Sequence, residues 1–339
     1  MKKFIFSILA VGALVACTKS EVKYSDASEI AFAPVASTAT KAAINDAKFP
    51  SAKDFNVWAF YGKDAAATSP DYSKFDIDYI KDATFTRRAN SFNWGGSIPY
   101  YWPNNGSLVF AGYSAPENSI DGLAVGTNPT YELSDDKLCI NSYTQPEISD
   151  KYTELLWFGR TASYNERNTG KSVDVEFQHA LSWITLKFQG IGMTADAQNQ
   201  WKIKKVEINN ILRTGNVECI GKKATWKGRK NAAGLVVYEH ADGTQLTGTA
   251  TTIETVPNGT LVIPQAPTSV TITYSCKTPA GETITEVVTA SLDYDGKTEW
   301  ENGKHYIYTI TFSATEILIA PTVADWDEYV GNDIETPAN

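Results

Sequence analysis

Apolar and β-forming residues recur along this chain in short runs that have the period of a β-strand. Residues Val173–Phe177 alternate strictly between apolar and acidic side chains, which predicts a strand with one face toward a core. Phe55–Tyr61 is apolar or aromatic almost throughout, which favours a strand buried on both faces. Asn, Gly, Pro, Ser and Asp fill the segments between such runs, as is typical of turns and loops.

Runs of this kind continue to residue 312, and only residues 194–200 offer one or two turns of helix. We therefore predict an all-β protein. The length suits two β-sandwich domains in tandem, over residues 30–175 and 176–312. A separate tail over residues 313–339 follows them, with further β-formers on both sides of Pro321.

The N-terminus has the features of an export signal. Met1–Lys3 is positively charged, and the thirteen residues from Phe4 to Ala16 carry no charge. Such a run is shorter than the ~20 residues that span a bilayer and fits the apolar region of a signal peptide. Ala16 followed by Cys17 resembles a lipobox. We predict a signal peptide over residues 1–16, a lipid on Cys17 and a polar tether over residues 17–29; the alternative is an ordinary secretory signal with a chance cysteine.

Composition narrows the class of partner. The formal net charge of -9 disfavours nucleic acid, because phosphate binding needs a basic face. The 9 Trp, 17 Tyr and 14 Phe against 2 Met favour strands over helices. The three cysteines after Cys17 are far apart, form no CxxC pair and are odd in number, so at most one disulfide can form among them. We expect buried, reduced thiols at Cys139, Cys219 and Cys276.

The candidate chemistry is weak. The sequence holds no HExxH, GxSxG or phosphate-loop motif, and its three histidines lie in or beside strand patterns: His179, His240 and His305. Carboxylates two residues apart, at 76 and 78 and at 325 and 327, could in principle serve a glycosidase, but pairs this close usually face solvent. We therefore predict no enzyme activity, no cofactor and no metal site.

A loop-like segment rich in aromatic residues offers a different function. Trp94, Tyr100 and Trp102 lie among Gly, Pro, Asn and Ser. Aromatic rings on an exposed loop could stack on sugars, which would make the protein a surface glycan-binding lipoprotein. The other interpretation is that these rings close the end of a sandwich core.

Several segments together carry a family resemblance. In chain order they are Ile30–Phe32 with Thr40–Ala42, Phe55–Phe60, Tyr101–Pro103 with Leu108–Tyr113, Val175–Leu181, Leu261–Gln265, Trp300–Ile310 and Pro321–Trp326. On these segments the chain resembles the fimbrillin family, the subunits of fimbriae made by anaerobic Gram-negative bacteria. The likeness covers nearly the whole chain after the export signal.

The resemblance implies a mode of assembly. Fimbrillin precursors are two-domain, transthyretin-like β-sandwiches that are exported as outer-membrane lipoproteins. A surface protease removes an N-terminal strand, and the next subunit fills the groove with a donor strand, a form of β-strand addition. The resemblance maps the removable strand onto Ile30, Phe32 and Val35. It maps the donor onto the tail after Phe312, with Val323, Trp326 and Tyr329 as its candidate anchoring residues.

One feature departs from the best-known members, in which cleavage follows an arginine. The first arginine of this chain is Arg87, and Lys41 is the only basic residue between Tyr24 and Ala47. Either the protease accepts Lys41 or the subunit is not processed. The roles of shaft, tip and anchor subunit therefore stay open, and the tail could fold back onto its own domain instead of donating a strand.

Overall fold

The computed structural model describes residues 24–36, 54–89, 91, 93–114, 129–145, 154–163, 165–166, 172–253, 260–278, 280–294, 296–313 and 316–325. Almost every regular element in these ranges is a β-strand, which confirms the all-β prediction. The short helix α1, Ala195–Gln200, occupies the stretch where one or two helical turns were expected. Within the described ranges, no helix is long and apolar enough to cross a membrane.

The described strands are, in chain order, β1 Tyr24–Glu29, β2 Ala31–Ala36, β3 Phe55–Gly62, β4 Ile77–Arg87, β5 Trp94–Gly96, β6 Tyr101–Pro103, β7 Ser107–Ser114, β8 Thr130–Glu132, β9 Lys137–Thr144, β10 Leu156–Ser163, β11 Val173–His179, β12 Ser182–Gly190, β13 Lys202–Ile220, β14 Lys223–Gln245, β15 Thr251–Thr252, β16 Thr260–Val262, β17 Ser269–Lys277, β18 Thr283–Ser291, β19 Lys304–Phe312 and β20 Ile317–Asp325. Two 3-10 turns lie at Tyr72–Lys74 and Leu133–Asp135.

Seven strands of the first half close into a barrel in the order β10-β11-β2-β5-β4-β3-β7, with β7 returning to β10. All neighbours are antiparallel except β2 and β11. A two-sheet sandwich would leave strand edges open, whereas hydrogen bonds between β7 and β10 close this sheet into a barrel. The transthyretin-like topology stays a prediction. The alternate residues that face inward build an aromatic core that includes Phe32, Phe55, Phe85, Phe110, Phe158 and Phe177.

The second half packs two sheets around another core. One sheet contains β15, β12, β19 and β20 in that order, with β16 also on β12. The other runs β18-β17-β13-β9-β8, with β14 on β13. Apolar residues from both sheets meet in one cluster, among them Phe188, Ile208, Ile272, Tyr308 and Ile310.

The hairpin β13–β14 ties the two halves together. The first part of β13 pairs with β17 of the second half, and its last part pairs with β9 of the first half. A third cluster forms there, in which Trp58, Tyr113 and Trp157 from barrel strands pack near Val217 and Trp226 of the hairpin. The expected domain boundary between residues 175 and 176 falls inside β11, which pairs with β2 and β10 of the barrel.

The structure bears on three expectations, which concern the two ends of the chain and the cysteine thiols. The tether expected over residues 17–29 is a strand from Tyr24 onward, because β1 pairs with β6. The tail returns to its own domain as far as Asp325, because β20 pairs with β19 over nine residues. The cysteines at 139, 219 and 276 are buried and form no disulfide.

Candidate functional site: the N-terminal strand in the barrel

Strand β2 fills a slot in the barrel wall between β5 and β11. It runs antiparallel to β5 and parallel to β11. The sequence from Ile30 to Pro34 alternates large and small side chains, so a period of two points the large ones to one side. Ile30, Phe32 and Pro34 are buried, whereas Ala31 and Ala33 are half-buried. The strand therefore contributes its large side chains to the barrel core.

Phe32 is the centre of this contribution. Its ring is fully buried and packs against four other phenylalanines, with centroid separations of 5.0 Å to Phe85, 5.2 Å to Phe110, 5.8 Å to Phe55 and 6.0 Å to Phe158. The first three contacts are edge-to-face, the arrangement that the charge distribution of aromatic rings favours. Without Phe32, the barrel would contain a cavity lined by aromatic rings.

The backbone of β2 is held unequally on its two sides. Five residues, from Phe32 to Ala36, pair with β11, but only Ala31 and Phe32 pair with β5. The Ile30 N–H also donates to the Tyr100 carbonyl at 2.7 Å. Pro34 has no N–H to donate and lies beyond the last β5 pair. The missing N–H of Pro34 therefore interrupts no hydrogen bond on the β5 side of the strand, where the ladder has already ended.

An ion pair lies beside the entry of this strand. The Arg88 guanidinium contacts the Glu29 carboxylate at the end of β1. Both side chains are partly exposed, so water screens the attraction and its contribution to stability is small. Packing and ladder hydrogen bonds therefore hold the N-terminal strands.

The structure describes only one of the remaining residues that were assigned to the removable strand, the cleavage site and the lipid site. Val35 pairs with Glu176 of β11 through the backbone, and nothing is described of its side chain. Cys17 and Lys41 lie outside the described residues. Sequence reasoning found Phe32 but missed Phe85, Phe110 and Phe158, because their meeting around Phe32 depends on strand register that single runs do not reveal.

The candidate donor lies at the opposite end of the chain. Val323 pairs with Tyr306 and is 43% exposed, whereas Trp326 and Tyr329 lie outside the described residues. Ile317 and Ile319 of the same strand are partly buried against the second core. In this state, the described part of the tail therefore covers its own domain.

The alternative of a sugar-stacking platform at Trp94, Tyr100 and Trp102 is wrong in its geometry. The two indoles are 3% and 2% exposed and belong to the barrel core. Tyr100 is half-buried and stacks on Phe85 with centroids 6.0 Å apart. A stacking platform needs an exposed ring face, whereas these rings pack against residues of the barrel core. Among the described residues, no group of acidic, His or Cys side chains could hold a metal ion.

Comparison with known proteins gives the chain a family. Residues 40–326 match the model of the fimbrillin-like family. No curated protein matches. A fimbrial protein from Bacteroides vulgatus is similar in fold, with a TM-score of 0.51 and 14% identity over 88% of this chain and 100% of that one. A candidate cell adhesion protein from Bacteroides ovatus has a TM-score of 0.50 and 16% identity over 92% of this chain and 100% of that one.

The family match spans most of the chain and includes strands from both halves. The resemblance that the sequence predicted is therefore confirmed: this chain belongs to the fimbrillin-like family.

Proposed function

We propose that the protein is a structural subunit of cell-surface fimbriae that exchanges its N-terminal strand β2 for a strand of a neighbouring subunit. One observation carries the proposal. Phe32 is fully buried among four phenylalanines, on a strand that lies near the N-terminus between two ladders.

Removal of β2 would create a site suited to one kind of ligand. The ladder edges of β5 and β11 would be left without a partner, and the pocket of Phe32 would be empty. An extended strand with a large apolar side chain at the matching position would restore both the hydrogen bonds and the packing. An open, hydrophobic edge favours aggregation. A strand from another subunit would cover this edge and so prevent aggregation.

The donor is proposed to be the tail of a neighbouring subunit. In the single chain, β20 pairs along its whole length with β19, so donation requires either that β20 detach or that the residues after Asp325 reach the slot. Leu318 and Val323 are 51% and 43% exposed on β20, which makes this strand a lightly packed end of its sheet. Trp326 and Tyr329 remain the proposed anchors, because aromatic residues dominate contacts of this kind.

Export and release complete the proposal. A lipid on Cys17 would hold the precursor at the outer membrane, since each buried CH₂ adds ~0.8 kcal/mol of membrane affinity. A cut after Lys41 would separate this anchor and both N-terminal strands from the rest. The segment that matches the fimbrillin-like family begins at residue 40, beside the proposed cut, and leaves β1 and β2 outside it. The partners of the released subunit would be other fimbrial subunits.

The test uses cells that express the chain with Lys41→Gln, and Lys48→Gln as the matched control. Surface extracts are run on gels without boiling, and the polymers are sequenced from the N-terminus. We expect wild type and the control to form polymers that begin at Ala42, and Lys41→Gln to give lipidated monomers that keep β2. Polymers whose subunits still contain residues 24–36 would contradict strand removal, and a wild type without polymers would contradict the fimbrial role.

A further inference from the structure

Strand β18 is a long, unprotected edge. It ends the six-stranded sheet and pairs with β17 over nine residues without a register shift. Thr283–Ser291 contains no proline, no basic residue and one charged side chain, Glu286. Ile284 and Val287 are 37% and 63% exposed. Proteins normally block such an edge, because its free N–H and C=O groups can pair with another chain.

The other sheet ends among the described strands carry the usual protections. β6, β8 and β15 are two or three residues long, and the β1 ladder contains an irregularity. β20 has Pro321 at its centre. β14 is long, but its ladder has four register shifts and its outer part carries Lys227, Arg229 and Lys230. β18 alone of these strands is long, regular and nearly uncharged.

We propose that β18 pairs with β18 of a second copy of this chain, antiparallel and centred on Val287, so that the two six-stranded sheets become one. Charge favours this occupant. The chain carries a net charge of -9, which opposes self-association in general, whereas β18 has one carboxylate in nine residues and, in the register centred on Val287, sets no carboxylate opposite another. The inference goes beyond the proposed function and does not depend on it.

The faces of the sheet restrict the register. Val288 and Ala290 lie on the side that packs against the second core, whereas Val287 lies on the other side. When even-numbered residues of one strand lie opposite even-numbered residues of the other, the core side of one sheet continues into the core side of its partner. A slip by one residue would instead join the core side of one sheet to the outer side of the other.

Charge then selects among the allowed registers. Centring on Glu286 would place two carboxylates directly opposite, which is unfavourable. Centring on Val287 places Glu286 opposite Val288 and overlaps all nine residues. It also faces Thr285 with Thr289, a cross-strand pair that stabilises sheets. The register centred on Val287 is therefore the one that both the faces and the charges favour.

The contact is small. A single pair of nine-residue strands lies below the ~1,000 Å² of a stable interface, so the dimer should be weak, with a Kd between about 1 μM and 1 mM. It should therefore be sought as a concentration-dependent association rather than as a fixed dimer.

The test measures sedimentation of the unprocessed full chain carrying Cys17→Ala, which removes the predicted lipid site and leaves β2 in place. Adding Val287→Lys sets two ammonium groups opposite each other and should weaken the dimer at least about tenfold. Ile98→Lys is the matched control, because Ile98 is 67% exposed and lies in the loop between β5 and β6. It should leave the dimer unchanged.

A mixture of Val287→Lys and Val287→Glu copies should associate more tightly than either alone, which no general effect of charge on solubility would produce. Hydrogen exchange of wild-type β18 should also slow as concentration rises, while exchange at β14 stays constant. This second readout needs no substitution in β18. A monomer at every concentration up to ~1 mM, or equal dimerisation of the Val287→Lys and Ile98→Lys chains, would overturn the proposal.

Discussion

At the scale of single residues, Phe32 links the stability of the barrel to its N-terminal strand. Replacing the ring by a methyl group leaves a cavity among Phe55, Phe85, Phe110 and Phe158. We expect Phe32→Ala to lower the free energy of unfolding of the unprocessed chain by about 3–5 kcal/mol, measured by urea denaturation. Tyr101→Ala is the control, because Tyr101 is 39% exposed and its loss should cost about 1 kcal/mol or less. Equal effects of the two variants would contradict a central place for Phe32.

His305 should make stability depend on pH. Burial, and then the positive charge of Lys187, lowers the pKa of His305 from 6.5 to about 3. The ring stacks on Trp183 at 3.3 Å, and its Nε2 lies 2.9 Å from the Thr185 hydroxyl. The unfolded chain therefore binds a proton below pH 6.5 that the folded chain does not bind until about pH 3, so this residue makes stability fall as the pH drops between those values.

The contribution of His305 between pH 6 and pH 4 should be about 2–3 kcal/mol. It is measured as the difference in pH dependence of urea unfolding between wild type and His305→Gln. The exposed His240 provides the control, and His240→Gln should keep the slope of the wild type. If His305→Gln kept it as well, the buried neutral state of His305 would be excluded.

The sequence predicted the single residues in part. The family resemblance assigned Ile30 and Phe32 to an N-terminal strand, and the structure places both side chains in the barrel core. For Trp94 and Trp102 the sequence left two interpretations open, an exposed loop and the end of a core, because their segment is rich in loop-formers. The barrel buries both rings through contacts distant in the chain. Local composition marks a loop, but tertiary packing decides whether its rings face water.

At the scale of elements, β20 is the strand with two proposed states. The sequence suggested β-formers on either side of Pro321, and the structure joins them into one strand. The proline is tolerated there because β20 is at the end of its sheet, where one side of the strand has no ladder. Ile317 and Ile319 still pack against the second core, so detaching the strand would lower the stability of the domain.

Two truncations separate the structural role of β20 from the donor role of the residues beyond it. A chain ending at Asp325 should keep the melting temperature of the wild type and fail to polymerise, because it lacks Trp326 and Tyr329. A chain ending at Ser313 should lose about 2–4 kcal/mol of stability, since two partly buried isoleucines are removed. Polymers from the chain ending at Asp325 would show that Trp326 and Tyr329 are not needed for donation.

At the scale of the whole molecule, the two halves share strands that the sequence could not assign to each other. Apolar runs predicted strands such as β3 and β11. They could not show that β13 pairs first with β17 and then with β9, because each long-range pairing is chosen by the complete fold. For the same reason, a boundary read from the pattern of runs cut through β11, although the strand itself was found.

The position of β2 has a consequence for how long a filament can grow. In a fibre built by the proposed exchange, each slot accepts the tail of a neighbour, so the contact is head-to-tail and the fibre has two different ends. A copy that keeps β2 has its slot filled by its own chain and can accept no neighbour there, although its tail can still donate. Under the proposed exchange, such an uncut copy would act as a chain terminator, and the proportion of uncut copies would set the mean length of the fimbria.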